Sequence, residues 1–393
     1  MTTSAPGRPL PAYVVAGFAV ACVGGPLALV ALYGPDAVGG PAIGSAGLVS
    51  LIGAIGFLPV LYVWWRYSQR IASGGGLYEF VRQSAGLGPA RLHGVIWTVS
   101  YFLYLPFTIT GLVFDVLPVA YPGVTGHRAA VQLGIAIAIV ALVVLADRLA
   151  IGLLAVLAVV QVVVLVAYAG VLLHGAGFQS STFAANTSGS QLPRGAANVA
   201  LLFLCASLPL YLGGEAVGGA RTIRRSVVGA VAVTAVLLVI GMVGYAALSG
   251  SAVATLAAPG YTLSSVYRGQ DFARLVLVVA AASVLSLIVA EYVALTRLLN
   301  AMTGLAVRRL AVLIGALFLI AEVISLIDPD TIYDHALTVS LVALYLSQIV
   351  VFAVYPMWRR RTATLGIVDV AAAAAGTALM IFGLYVVISQ AGS

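Results

Sequence analysis

The stretch that decides the fold is Leu208-Pro209-Leu210-Tyr211-Leu212-Gly213-Gly214-Glu215-Ala216-Val217-Gly218-Gly219. An apolar run leads in from Val199 to Cys205; then come a proline, two pairs of glycines and one carboxylate. Hydrocarbon offers no partner to a free backbone N–H or C=O, so a membrane helix breaks only where the freed backbone lines a cavity. An acid at such a break marks a candidate functional site. A second interruption, Cys22-Val23-Gly24-Gly25-Pro26, falls inside the first hydrophobic segment. Paired interrupted helices in the two halves of a chain are the sequence signature of a secondary carrier's binding site.

Composition agrees with a lipid-solvated chain. Of 393 residues, 62% are hydrophobic and 8% charged, where soluble domains carry about 25% charged residues. The formal net charge of +7 comes from arginine alone, because lysine is absent. With the N-terminus placed inside, fifteen of the nineteen arginines fall in cytoplasmic segments or helix ends. That asymmetry is the positive-inside bias, so basicity here reports topology and not nucleic-acid binding. The two cysteines, Cys22 and Cys205, lie within hydrophobic segments. They read as small packing residues, and no spacing of Cys or His suggests a metal.

A spanning helix needs about 20 apolar residues. Eleven candidates meet this: 13–34, 42–66, 92–118, 127–147, 150–174, 196–221, 225–249, 271–300, 308–327, 333–358 and 365–389. The expected fold is an all-α polytopic membrane protein of 11 transmembrane helices. Residues 1–12 form a cytoplasmic tail, and the C-terminus lies outside. Five helices in 13–174 and five in 195–358 form an inverted repeat, each block opening on a broken helix (1 and 6), with 365–389 added. Between spans, Ser73-Gly74-Gly75-Gly76-Leu77-Tyr78-Glu79-Phe80-Val81-Arg82 is too polar to cross and suits the interface. The stretch 250–269 reads as a long external loop, either folded over a vestibule or a plain connector.

Free amides of a half-helix suit a carboxylate, and free carbonyls suit an amine or cation. Cys22, Val23, Gly24 and Gly25 at the first break, and Tyr211, Gly213, Gly214 and Glu215 at the second, are therefore the candidate substrate contacts. Gly218 and Gly219 read as packing glycines. Tyr104 joins the contacts from an aromatic stripe with Trp97 and Tyr101 at helical spacing; Tyr345, Ser347 and Gln348 form a weaker stripe. Glu215 can bind an amine, carry a proton or cap freed amides. Glu291, with Ser283 and Ser286 on nearly the same face, is the candidate for ion or proton coupling, or else pairs with Arg297. Glu322 has no visible partner, while Asp115, Asp147 and Asp369 read as interfacial. The chain has no P-loop, dinucleotide fingerprint, GxSxG or HExxH, so neither an enzyme nor an ATP-driven pump is expected, and no cofactor.

These motifs resemble the amino acid–polyamine–organocation superfamily, with its leucine-transporter-type fold. Ser73 to Tyr78 is similar to the family's P/S-x-G-G-x-Y, Leu212 to Ala216 to its G-F-E segment, and Thr296 to Met302 to S-R-x-x-x-A-M. Two departures enlarge the site: Gly24-Gly25-Pro26 stands for G-S-G, and Gly214 for the aromatic of G-F-E. The lysine that some proton-coupled relatives carry in helix 5 is absent. The resemblance implies alternating access by helices 1, 2, 6 and 7 against 3, 4, 8 and 9. The expected protein is a plasma-membrane permease of amino acids or related amines in a bacterium. It is expected to be proton-coupled or exchanging; a Na⁺-coupled carrier of the same fold and a channel or sensor-like binding protein are the alternatives.

Overall fold

The computed structural model describes residues 9–187, 189–247 and 256–391. Among them the regular structure is helical, apart from one isolated bridge between Leu10 and Ala216. Among the described residues nine helical stretches are long and apolar enough to cross a membrane. Large apolar side chains such as Leu145, Val156, Val159 and Val163 face outward from one of them, as a lipid-facing surface requires. The chain is a multi-pass membrane protein.

The first span is interrupted where its sequence demands. Helix α1 (Ala12–Cys22) stops because the chain takes positive φ at Gly24 and Gly25, 65° and 64°, a region that side chains with a Cβ seldom adopt. Pro26 then restarts the helix at its first position, where a missing N–H is no loss. Helix α2 (Pro26–Ala28) runs through a π turn (Leu29–Tyr33) into α3 (Gly34–Val38). The second span is α4 (Ala46–Gly56) with α5 (Leu58–Tyr67), followed by the short α6 (Gly76–Ala85). Helix α6 buries Leu77, Tyr78, Phe80 and Val81 and pairs Glu79 with Arg82 at 2.8 Å along its polar side.

Helix α7 (Leu87–Gly111) leads to α8 (Arg128–Ala176), two helices joined across a kink close to where the expected spans 127–147 and 150–174 meet. One residue, Ala146, leaves helical geometry (φ −150°, ψ 54°) and divides α8 into two arms. The sixth span departs from expectation. Helix α9 (Gln191–Leu201) ends well before Gly213, and a 3-10 stretch (Leu204–Leu212) carries the chain onward. The break therefore sits at Leu202-Phe203, and Gly213-Gly214-Glu215 forms the turn at the end of the span, not its middle. Two residues there correct another expectation: Gly218 (φ 77°) and Gly219 (φ 49°) are turn residues that start α10 (Gly219–Val243), and they do not mediate helix packing.

The stretch read as loop 250–269 contains helix α11 (Pro259–Arg268), with residues 250–255 outside the described ones. Helices α12 (Gln270–Thr303), α13 (Val307–Ser325), α14 (Pro329–Thr362) and α15 (Ile367–Ala391) complete the chain. Of these, α13 falls outside the nine stretches, and Pro122–Ala176 counts as one of them, so the nine do not reproduce the expected eleven one for one. Small residues allow the tightest contacts. A Cβ on Gly17 of α1 would lie 2.7 Å from the Ala155 Cα of α8, and one on Gly241 of α10 would lie 2.5 Å from Val30.

Candidate functional site

The interrupted spans enclose a cavity of about 730 Å³ that opens to one face of the helix bundle. Its floor holds Gly24 from the first break, Cys205 just past the second, Tyr101 from α7, and Glu291 from α12. Its wall is apolar and aromatic, with Tyr104, Phe107, Leu287 and Tyr345, and its mouth carries Asp36, Asp115 and Tyr333. Pro259 of α11 stands at the same mouth.

Glu291 is fully buried, and the Cys205 thiol donates across 3.8 Å to its Oε1. Its Oε2 has no hydrogen-bond partner among the described residues. The expected alternative of a Glu291–Arg297 pair is not what the structure forms. Arg297 lies six residues on, a rise of about 9 Å toward the opposite face, and it holds two other acids.

Beneath the floor an aromatic stack closes the way. Tyr101 stacks on Trp97 at 3.8 Å between ring centroids, and Trp97 meets Tyr211 at 4.7 Å. The Tyr211 ring lies so close on Gly76 that a Cβ there would be 2.7 Å from it. Tyr211 thus joins the floor to α6 and does not line the cavity. Gly213 and Gly214 do not line it either. A Cβ on Gly213 would sit 2.6 Å from the Ser73 amide nitrogen, so this glycine permits the loop between α5 and α6 to reach the turn.

At that turn the opposite face is fastened. Arg297, only 4% exposed, donates from Nε to Glu215 Oε1 and from Nη2 to Asp147 Oδ2, each at 2.9 Å. Leu10 N–H donates to Glu215 O (2.7 Å) and Val217 N–H to Leu10 O (2.9 Å), which ties the segment before α1 to the same turn. Glu215 therefore lies past the end of the sixth span, in an ion-pair network, and not midway along it. Asp147 follows the Ala146 kink and enters this network, a long-range partnership that no local spacing announces.

The remaining candidates are placed as follows. Cys22 and Val23 are buried where α1 ends, with Cys22 near Cys205 and Glu291. Gly25 abuts Ser283, whose Cβ would be 2.7 Å from an added methyl, and Ser283 Oγ has no partner among the described residues. Ser286 accepts from Gln161 Nε2 (3.3 Å) and donates to Ala282 O (2.7 Å). Elsewhere, buried Glu322 accepts from Gln132 at 2.5 Å. Asp369 binds Tyr62, Tyr355, Arg66 and Arg359 where α5, α14 and α15 meet.

A first helix broken by two glycines, a sixth span broken where it faces the first, and a cavity between them define a leucine-transporter-type fold. Solved transporters share it. The manganese transporter of Eremococcus coleocola, in complex with an aromatic bis-isothiourea compound, matches with a TM-score of 0.63 at 13% identity, over 98% of this chain and 90% of its own. Mhp1, a nucleobase-cation-symport-1 family transporter closed around bromovinylhydantoin, matches with a TM-score of 0.54 at 11% identity, over 99% and 96%. At such identities the likeness is one of fold. No protein-family model matches the chain, and no curated protein resembles it in sequence.

Proposed function

We propose that this chain is a secondary active transporter that carries amino acids or related amines by alternating access, coupled to a proton or to exchange. The observation that carries the reading is a cavity between two broken helices, open to one face while Arg297, Glu215 and Asp147 fasten the other. A cavity that opens to one side only is what alternating access requires of a carrier intermediate, whereas an open channel would be continuous between the faces.

In this reading there are eleven spans, since the arms of α8 count separately and α13 is added to the nine. Residues 13–174 and 195–358 form the inverted repeats, and 365–389 stands outside them. The amino terminus is cytoplasmic in the plasma membrane of a bacterium, so the Arg297 network is the inner gate and the Asp36–Asp115 mouth opens outward. Gly24, Tyr104 and Glu291 contact substrate, and Cys22, Val23 and Gly25 shape the break beside them. Glu291 is also the group that exchanges its proton. Glu215, together with Tyr211, Gly213 and Gly214, serves gate closure. Sodium coupling is the second reading, favoured by the unpartnered Ser283 hydroxyl beside the first break, with Ser286 one turn on. Manganese is not favoured as cargo, because no group of three or more His, Cys, Asp or Glu among the described residues is disposed to hold a metal.

Proteoliposome uptake of labelled amino acids and amines under imposed proton and sodium gradients tests the proposal. Saturable, gradient-driven uptake with counter-exchange is expected, abolished by Glu291→Gln. Uptake that rises linearly with concentration would overturn it.

A further inference from the structure

The cavity's chemistry is one-sided. Every charged residue that lines it is an acid: Glu291 on the floor and Asp36 and Asp115 at the mouth. Arg128, whose charge reaches Asp115 at the mouth, does not itself line the space: its guanidinium lies 4.6 Å over the Phe114 ring and donates to Phe114 O. No arginine or histidine lines the wall among the described residues, and the sequence has no lysine.

A carboxylate could still be held by backbone amides at the first break, so their disposition matters. Val23 N–H donates to Val20 O and Gly24 N–H to Cys22 O, while residue 26 is a proline. Among Gly25, Pro26, Leu27 and Ala28, none lines the cavity, which passes from Gly24 directly to Leu29. At the second break the amides of Leu202, Phe203 and Ala206 are bonded back to Asn198 and Val199, to Ala200 and to Phe203, which leaves those of Leu204 and Cys205 as the backbone donors on the wall there, neutral groups with no charge to match a carboxylate's. A zwitterion placed here would bring its carboxylate among three acids with no cation to pair it, only neutral donors such as Tyr101, Tyr104 and Thr108. Burial of an unpaired charge is strongly unfavourable.

The floor is built for the opposite charge. Glu291 Oε2 is buried without a hydrogen-bond partner among the described residues, and the Tyr101 hydroxyl beside it on the floor has only the Ser207 hydroxyl and the Cys205 thiol as neighbours, with no hydrogen bond of ordinary geometry to either. Buried polar atoms without partners mark a place for a ligand's own polar group. A primary ammonium brings three donors and one positive charge. Above it the wall of Leu29, Leu32, Phe107, Leu201, Leu287 and Leu344 suits an apolar body.

We propose that the substrate is a primary amine with an apolar or aromatic body and no carboxylate, its ammonium on Glu291 and the aromatic floor. This rests on the carrier reading of the same cavity and narrows its substrate class. Equilibrium binding to the purified full-length protein in detergent tests it with matched pairs: tyramine against tyrosine, phenethylamine against phenylalanine, isopentylamine against leucine. The amine of at least one pair is expected to bind at least about tenfold more tightly than its amino acid, and 3-(4-hydroxyphenyl)propionate, a carboxylate without an amine, is expected not to bind. Glu291→Gln should abolish amine binding while Glu291→Asp retains part of it, with melting curves confirming that both variants fold. Amino acids that bind as tightly as their amines, or a panel in which no amine binds, would overturn the proposal. Counterflow in proteoliposomes separates the two readings: amine binding without flux upholds the site and removes the carrier.

Discussion

At the scale of single residues, Gly25 carries the sharpest structural demand. It has φ 64°, and an added methyl would meet Ser283 Cβ at 2.7 Å and its carbonyl oxygen at 2.9 Å. Gly25→Ala should therefore lose stability, by the left-handed backbone's cost of about 1–2 kcal/mol plus the overlap, seen as a lowered melting temperature in detergent. A variant as stable as the parent would show that the break relaxes easily. Asp369 offers a second test. It is the acid for both Arg66 and Arg359, and its side chain is 4% exposed. Asp369→Asn leaves two guanidiniums without their counter-charge, a change that costs about 3–5 kcal/mol when a buried pair loses one partner. Thermal unfolding that does not move would place those charges in water.

At the scale of elements, the Arg297 network joins parts that must separate if the closed face is to open. Leu10 just precedes the broken first span and Glu215 just follows the broken sixth, while Arg297 is on α12 and Asp147 follows the bend in α8. If Glu215 departs, Arg297 keeps Asp147, so opening does not leave a bare buried cation. The two acids are then unequal. Glu215→Gln should shift the population toward opening of that face by about 1–2 kcal/mol, a factor of about 5–30. Asp147→Asn should instead slow the cycle, because Arg297 loses its resting partner. Proteoliposome exchange rates distinguish them; equal effects of the two would mean that Asp147 is only a surface charge. The elements also show where sequence reading works and where it stops. The first break was legible because two adjacent glycines before a proline have one economical use in a membrane helix. The second was misplaced toward Gly213 because Leu202 and Phe203, where α9 ends, are ordinary apolar residues. There the helix yields to packing and not to a local signal. Glu291 stood out as an acid deep in an apolar run, whereas Asp147 looked interfacial because its partners are distant in sequence.

At the scale of the whole molecule, the claim is that one buried floor faces alternate sides of a membrane in turn. Nature has placed a reporter there: Cys205 lines the cavity beside Glu291, and Cys22, the chain's one other cysteine, is fully buried. The fold class was readable from composition and hydropathy, since both depend on totals along the chain. Which face is open was not, because it is a balance between two packings of one sequence. The most direct measurement is the modification of Cys205 by a membrane-impermeant thiol reagent in oriented proteoliposomes, with Cys22→Ser as background. The account predicts labelling only from the face that carries Asp36 and Asp115, with Glu215→Gln adding reactivity from the Arg297 face as the first declines. Labelling of the unmodified gate from both faces at once, or from the Arg297 face alone, would contradict it.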